Sequence, residues 1–168
     1  MIDLGENRFT GEIPTWIGDS FLEVKVLILG SNEFYGSIPS SLCGLANAQV
    51  LDLSSNKISG VIPKCVHKYT AMTTTESPNS FLSEMSIIGY PTLDSWYIFE
   101  TKSLERAHFM WKRKEINFIN HLGLVKLIDL SSNNLVGEIP SEITKLVGLV
   151  GLNLSSNNLT GSIPQNIV

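Results

Sequence analysis

The sequence predicts an α/β solenoid: a right-handed superhelix of short coils whose strands build one parallel concave sheet, interrupted once by a segment without the repeat. A motif of the form S-x-N-x-apolar-x-G-x-I-P, or a close variant, occurs five times, with its asparagines at Asn7, Asn32, Asn56, Asn133 and Asn157. Successive asparagines lie 25, 24, 77 and 24 residues apart, so one gap is more than two repeats too long. Upstream of each asparagine, apolar residues alternate with a period of two, the mark of a strand with one buried face. One such coil cannot bury its apolar side alone, and stacked coils can.

The first coil keeps Ile2, Leu4 and Asn7. The next two carry the full L-x-x-L-x-L-x-x-N signature of a leucine-rich repeat, at Val24, Leu27, Leu29 and Asn32, then at Ala48, Leu51, Leu53 and Asn56. After the gap it returns at Val125, Ile128, Leu130 and Asn133, and at Leu149, Leu152, Leu154 and Asn157. Five parallel strands are therefore expected near residues 2–4, 26–29, 50–53, 127–130 and 151–154, with the third pairing directly to the fourth across the gap. Each asparagine stands where the chain leaves its strand, and its amide can satisfy backbone groups of its own and the neighbouring coil. Glycines at 11, 36, 60, 137 and 161 supply a permissive backbone, and prolines at 14, 39, 63, 140 and 164 a fixed φ at the next bend. The expected organisation is three repeats over 1–67, an insertion over 68–121, and two repeats over 122–168.

Composition narrows the function. With 12 Lys+Arg against 16 Asp+Glu, the formal charge is −4, opposite to the basic excess of a nucleic-acid binder. The longest run of apolar residues and glycine, Leu146 to Leu152, is far short of a membrane span, and the N-terminus shows no secretory leader pattern. Asp3, Asp52 and Asp129 recur four residues before the repeat asparagine, a surface column of the repeat rather than a pair of catalytic carboxylates. His67, His108 and His121 lack metal-ligand spacing, and no phosphate loop or nucleophile elbow occurs. No enzyme activity, cofactor or metal is expected.

The insertion is where the aromatics gather: Tyr69, Phe81, Tyr90, Trp96, Tyr97, Phe99, Phe109, Trp111 and Phe118. Two readings fit, a small core packed for its own sake and an aromatic recognition surface, since Trp and Tyr favour interfaces. The polar stretch TAMTTTESPNS at its start reads as a loop.

The L-x-G-x-I-P extension resembles the plant class of leucine-rich repeats, found in the ectodomains of receptor-like kinases and receptor-like proteins. SSLCGLANAQVLDLSSNKISGVIPKC is similar to the repeats before the island domain of Cf-type plant receptor-like proteins, and HLGLVKLIDLSSNNLVGEIPSEITKLVGLVGLNLSSNNLTGSIP to those after it. The resemblance implies a ligand-binding part of a cell-surface receptor in defence or developmental signalling, with a protein, peptide or small-molecule ligand and a receptor-kinase co-receptor. It also implies a longer parent protein, attached to the membrane only through segments missing from this chain. Within MWKRKEINF, Trp111 and Lys112 match a family segment W-K-G-x-x-x-x-Y associated with co-receptor contact; Arg113 replaces its glycine and Phe118 its tyrosine. Other readings are a secreted inhibitor similar to polygalacturonase-inhibiting proteins, which are uninterrupted solenoids, and a non-functional truncation product.

Candidate contact residues are the outward strand positions Lys25, Val26, Ile28, Gln49, Asp52, Lys126 and Asp129, with Trp96, Tyr97, Trp111, Lys112 and Phe118 of the insertion. Cys43 and Cys65 occupy nearby places on adjacent coils; an extracellular setting favours a bridge, the alternative being two buried thiols. N-x-[ST] occurs at Asn153 and Asn158, two candidate N-glycosylation sites.

Overall fold

A computed structural model describes residues 1–75, 106–111, 114–119 and 126–167. The chain divides into two compact units, Met1–Thr75 with Val125–Val168, and Glu76–Leu124. The described strands are β1 (Ile2–Asp3), β2 (Thr10–Glu12), β3 (Val26–Ile28), β4 (Glu33–Ser37), β5 (Val50–Asp52), β6 (Lys57–Gly60), β7 (Arg106–Trp111), β8 (Lys114–Ile119), β9 (Leu127–Asp129), β10 (Asn134–Glu138), β11 (Gly151–Asn153) and β12 (Asn158–Thr160). The second unit contains the antiparallel pair β7–β8, in which Trp111 lies opposite Lys114 and Ala107 opposite Phe118.

In the repeat unit, the strands before the asparagines form one parallel sheet in the order β1-β3-β5-β9-β11. Strand β5 pairs directly with β9, Val50 opposite Leu127 and Asp52 opposite Asp129, so the long gap leaves the stack in register. The sequence reading anticipates a single sheet, and the structure has a second, parallel, in the order β12-β10-β6-β4-β2. It is made by the residues after each asparagine, where Phe34, Ile58 and Leu135 point into the core and their neighbours outward. Short helical turns close the coils: α1 (Trp16–Ser20) and 3-10 turns at Ser40–Gly44, Lys64–Lys68, Thr70–Met72 and Ser141–Lys145. Between the sheets lies one core, including Leu27, Leu29, Leu51, Leu53, Ile128 and Leu130.

The asparagines stitch the coils together. Asn32 Nδ2 donates to Leu4 O of the preceding coil at 2.9 Å, and its Oδ1 accepts from Phe9 N at 2.9 Å. Asn133 repeats this across the gap, donating to Leu53 O at 2.9 Å and accepting from Ile58 N at 3.0 Å. The residue before each asparagine has positive φ, from 52° at Ser55 to 57° at Ser156, a left-handed position that the sequence reading did not foresee. Gly137, at φ 79°, marks the turn where the motif needs glycine.

The repeat unit runs past the boundary expected at 67. Val66, Tyr69 and Met72 are buried in its core. They are spaced as Leu42, Leu45 and Ala48 are in the coil before, and as Ile143, Leu146 and Leu149 are in the coil after. Ala71 N donates to Ala46 O at 3.0 Å, and Gly148 N to Met72 O at 2.9 Å, so this segment is stacked between those two coils. The fourth coil is thus split: its first half is Lys64–Thr75 and its strand is β9. The insertion enters inside a repeat, immediately before the strand.

Candidate functional site

The face of the first sheet turned away from the core is built from parallel columns. One contains Val26, Val50, Leu127 and Gly151; the next contains Asp3, Ile28, Asp52, Asp129 and Asn153. Alternation puts these side chains opposite the core leucines, and Val26, Ile28, Val50 and Leu127 are indeed absent from the core cluster. They are nevertheless buried, Val26 to 0% exposure.

Their burial extends to most of the strand candidates. Of the seven strand candidates, Lys25 alone is exposed, while Val26, Ile28, Gln49, Asp52, Lys126 and Asp129 are buried. The polar ones are engaged by their own coils. Asp52 Oδ1 accepts from Ser54 N and Asp129 Oδ1 from Ser131 N, both at 2.9 Å, as Asp3 Oδ1 does from Gly5 N at 3.0 Å. These are Asx turns that close the strand ends, a backbone role for the carboxylate column. Gly30 leaves room for Asp52, whose Oδ1 lies 2.8 Å from where a Cβ at residue 30 would stand. Lys126 Nζ donates to Thr74 O at 2.6 Å, tying the two halves of the split coil together. Gln49 Oε1 is buried with no hydrogen-bond partner among the described residues.

Burial pushes the Asp52 carboxyl above the usual carboxylate range; the bonds from Ser54 oppose the rise, and the charges of Asp129 and Asp3 add to it. Asn153, in the same column, donates from Nδ2 to Asp129 Oδ2 at 2.9 Å and accepts from Ser155 Oγ at 2.8 Å. On the second sheet the open positions mix charged and polar residues with Tyr35 and Val136, and the pair Lys57–Glu33 at 2.9 Å is solvent-exposed. Lys57 beside it holds the Glu33 carboxyl below the usual range.

Cys43 and Cys65 are joined in a disulfide, with their Cα atoms 5.8 Å apart, inside the span a bridge requires. It links the 3-10 turn at Ser40–Gly44 to that at Lys64–Lys68. Trp96, Tyr97 and Lys112 lie outside the described residues. Trp111 ends β7 and Phe118 lies in β8, where the six ladder pairs of backbone are what is described. No helix among the described residues is long and apolar enough to cross a membrane.

The profile of the Leucine Rich Repeat family matches residues 23–45, 47–68, 125–146 and 148–168. The chain belongs to the leucine-rich-repeat family. Within that family it sides with the plant receptor-like proteins. It is 40% identical to receptor-like protein EIX2 of Solanum lycopersicum over 153 residues, which cover 90% of this chain and 14% of that protein. Receptor-like protein EIX1 of the same plant is 39% identical over 152 residues, 89% of this chain and 14% of its own length. The chain therefore spans about a seventh of these relatives. Among solved structures it is similar to the Arabidopsis receptor kinase HAESA in complex with the peptide hormone IDA and the co-receptor SERK1. That likeness has a TM-score of 0.61 and 28% identity, over 97% of this chain and 18% of HAESA. As a leucine-rich-repeat protein the chain carries its family signature on both sides of the insertion and none within it.

Proposed function

We propose that this chain is part of the extracellular recognition domain of a plant cell-surface receptor-like protein, serving defence or developmental signalling. It binds a protein, peptide or small-molecule ligand and meets a receptor-kinase co-receptor; it is a binding module and not an enzyme. The observation that carries the reading is the split fourth coil. The insertion falls inside a repeat whose two halves still stack in register, and the resemblance to EIX2 extends over 153 residues, across both sides of it. An uninterrupted inhibitor solenoid has no counterpart of that arrangement. HAESA, similar in fold and sequence, was solved with a peptide hormone and a co-receptor, which supports the partner classes named. Because six of the seven strand candidates are buried, the insertion residues Trp96, Tyr97, Trp111, Lys112 and Phe118, with Lys25, are the contacts to test first.

The test displays the chain on plant cells behind a secretory leader and ahead of a membrane helix. The SERK1 ectodomain is then offered with and without extracellular wash fluid as a ligand source. Capture of the co-receptor, reduced at least tenfold by Lys112→Ala with Trp111→Ala, is expected. Intact surface display with no capture under either condition would overturn the reading.

A further inference from the structure

We propose that Asn158 is an N-linked glycosylation site and that Asn153, despite carrying the same sequon, is a structural residue that stays unmodified in the secreted protein. The inference rests on the extracellular reading above, since the donor sugar is met only in the secretory pathway.

The two asparagines differ in what their amides already do. Asn153 occupies the column of Asp3, Ile28, Asp52 and Asp129. It is half-buried, and it gives Nδ2 to Asp129 Oδ2 at 2.9 Å. Its Oδ1 accepts from Ser155 N at 3.3 Å and from Ser155 Oγ at 2.8 Å, so in the folded protein the asparagine closes an Asx turn. The tripeptide N-L-S arises here because a turn-closing residue is followed by the repeat's own L-S-S. A sugar on Asn153 Nδ2 would replace one of its two hydrogens and set a bulky group directly beside the Asp129 carboxylate that this nitrogen serves.

Asn158 is exposed, as is Thr160, and its side chain makes no hydrogen bond among the described residues. The same place in the other repeats, one residue after the ladder asparagine, holds Arg8, Glu33, Lys57 and Asn134, all exposed and of four different types. The fold asks nothing specific of this position, and long charged side chains are accommodated there. The backbone of β12 pairs with β10, Val136 opposite Asn158, and is not touched by a group added at Nδ2. The intervening Leu159 turns towards the core, which sends its neighbours outward.

In the transfer, Asn158 Nδ2 attacks the anomeric carbon of an oligosaccharide held on a lipid diphosphate. The N–C bond forms, the C–O bond to the diphosphate breaks, the lipid diphosphate leaves, and the amide loses one proton to the transferase. Transfer precedes folding, so the fold acts by selecting which products it can accommodate. Chains modified at Asn153 must seat the sugar at a half-buried place beside Asp129 and are retained, and those modified at Asn158 fold and leave.

The experiment expresses the chain with a secretory leader in plant cells and takes the intact mass of secreted protein before and after N-glycosidase treatment. Four variants accompany it: Asn158→Gln, Thr160→Ala, Asn153→Gln and Ser155→Ala. One N-glycan is expected on the secreted wild type, lost in Asn158→Gln and in Thr160→Ala, and kept in Asn153→Gln and Ser155→Ala. Thr160→Ala breaks the Asn158 sequon without changing the asparagine, so a folding defect is not mistaken for a missing site; Ser155→Ala breaks the other sequon and keeps the Asn153–Asp129 bond. Secreted wild type without a glycan, or a glycan that survives Thr160→Ala, would overturn the assignment. The leader makes that result independent of where the parent protein resides. Surface biotinylation of the parent in intact cells tests the extracellular reading separately.

Discussion

Replacing Asn133 by alanine should destabilise the repeat unit more than any other ladder substitution, because it is the asparagine that bridges the insertion. Its side chain, 8% exposed, donates to Leu53 O at 2.9 Å, to Leu130 O at 3.2 Å and to Ser131 O at 3.2 Å, and accepts from Ile58 N at 3.0 Å. After truncation the three carbonyls keep other donors. Leu53 O retains Asn56 Nδ2 at 3.2 Å, Leu130 O retains Asn157 Nδ2 at 2.9 Å, and Ser131 O retains Ser55 N at 2.9 Å. The Ile58 N–H alone is stranded, in a residue with 1% exposure. A stranded buried donor costs about 1–3 kcal/mol, and the lost bonds add about 1 kcal/mol net, for a total of roughly 2–4 kcal/mol. With a urea slope of about 2 kcal/mol/M, the midpoint falls by roughly 1–2 M. Asn7→Ala is the internal control. Asn7 is exposed and donates only to Leu4 O at 3.2 Å and Gly5 O at 2.8 Å within its own coil, so its loss costs less than about 1 kcal/mol. Urea melts followed by far-UV circular dichroism decide it. If Asn133→Ala costs no more than Asn7→Ala, the ladder does not carry the stack across the gap.

The Cys43–Cys65 bridge closes a loop of 22 residues in sequence; reducing it should lower stability by about 3 kcal/mol, read from melts of the oxidised protein and a Cys43→Ser/Cys65→Ser variant. Gly148→Ala should cost about 1–3 kcal/mol, because a Cβ there meets Thr74 O head-on and lies 2.9 Å from Thr74 C. An unchanged melt would mean that the first half of the split coil is not docked against the fifth coil. Asp52→Asn should stabilise the protein at pH 7, since the folded state raises the Asp52 pKa and so penalises its charged form. The folded state then binds more protons than the unfolded state, and the wild type's penalty is full above the raised pKa and fades as pH falls through it towards the unfolded value. The variant's advantage must therefore shrink between pH 7 and pH 4; an advantage that grows on acidification refutes the reasoning.

The first sheet and the ladder were legible because both are written in local side chains. The leucines of L-x-L fix the buried face, and the asparagine's amide satisfies backbone groups one coil away wherever coils stack. The second sheet was not legible, since glycine and proline within L-x-G-x-I-P read as turn residues and mask the alternation of exposed Tyr35, buried Phe34 and their counterparts. The burial of the strand candidates was not legible either. Alternation assigns Val26 and Asp129 to the face opposite the core, and both are buried, which the period of two does not reveal. The early half of the fourth coil hid behind its chemistry: Val66, Tyr69 and Met72 keep the repeat's three-residue spacing, but a tyrosine and a methionine where leucine is usual make the segment look like insertion.

The point of entry explains how a solenoid tolerates so long an interruption. Closing a loop of roughly 50 residues costs about 3–4 kcal/mol of chain entropy, and it must be offset within the repeats. Burial of a large apolar side chain contributes about 1.5–3 kcal/mol, so Tyr69 and Met72, at 1% and 0% exposure, are together enough. They are available because the chain leaves only after placing them. On re-entry, β9 finds partners on both sides, β5 and β11, and Lys126 reaches back to Thr74 O. Entry a few residues earlier would leave the core positions of Tyr69 and Met72 empty, and entry inside β9 would break ladder bonds to two strands at once. Among the described residues, Val66, Tyr69 and Met72 of the first half and Ile128 and Leu130 of the second fill the coil's core positions. An insertion can therefore change length and sequence there at little cost to the stack.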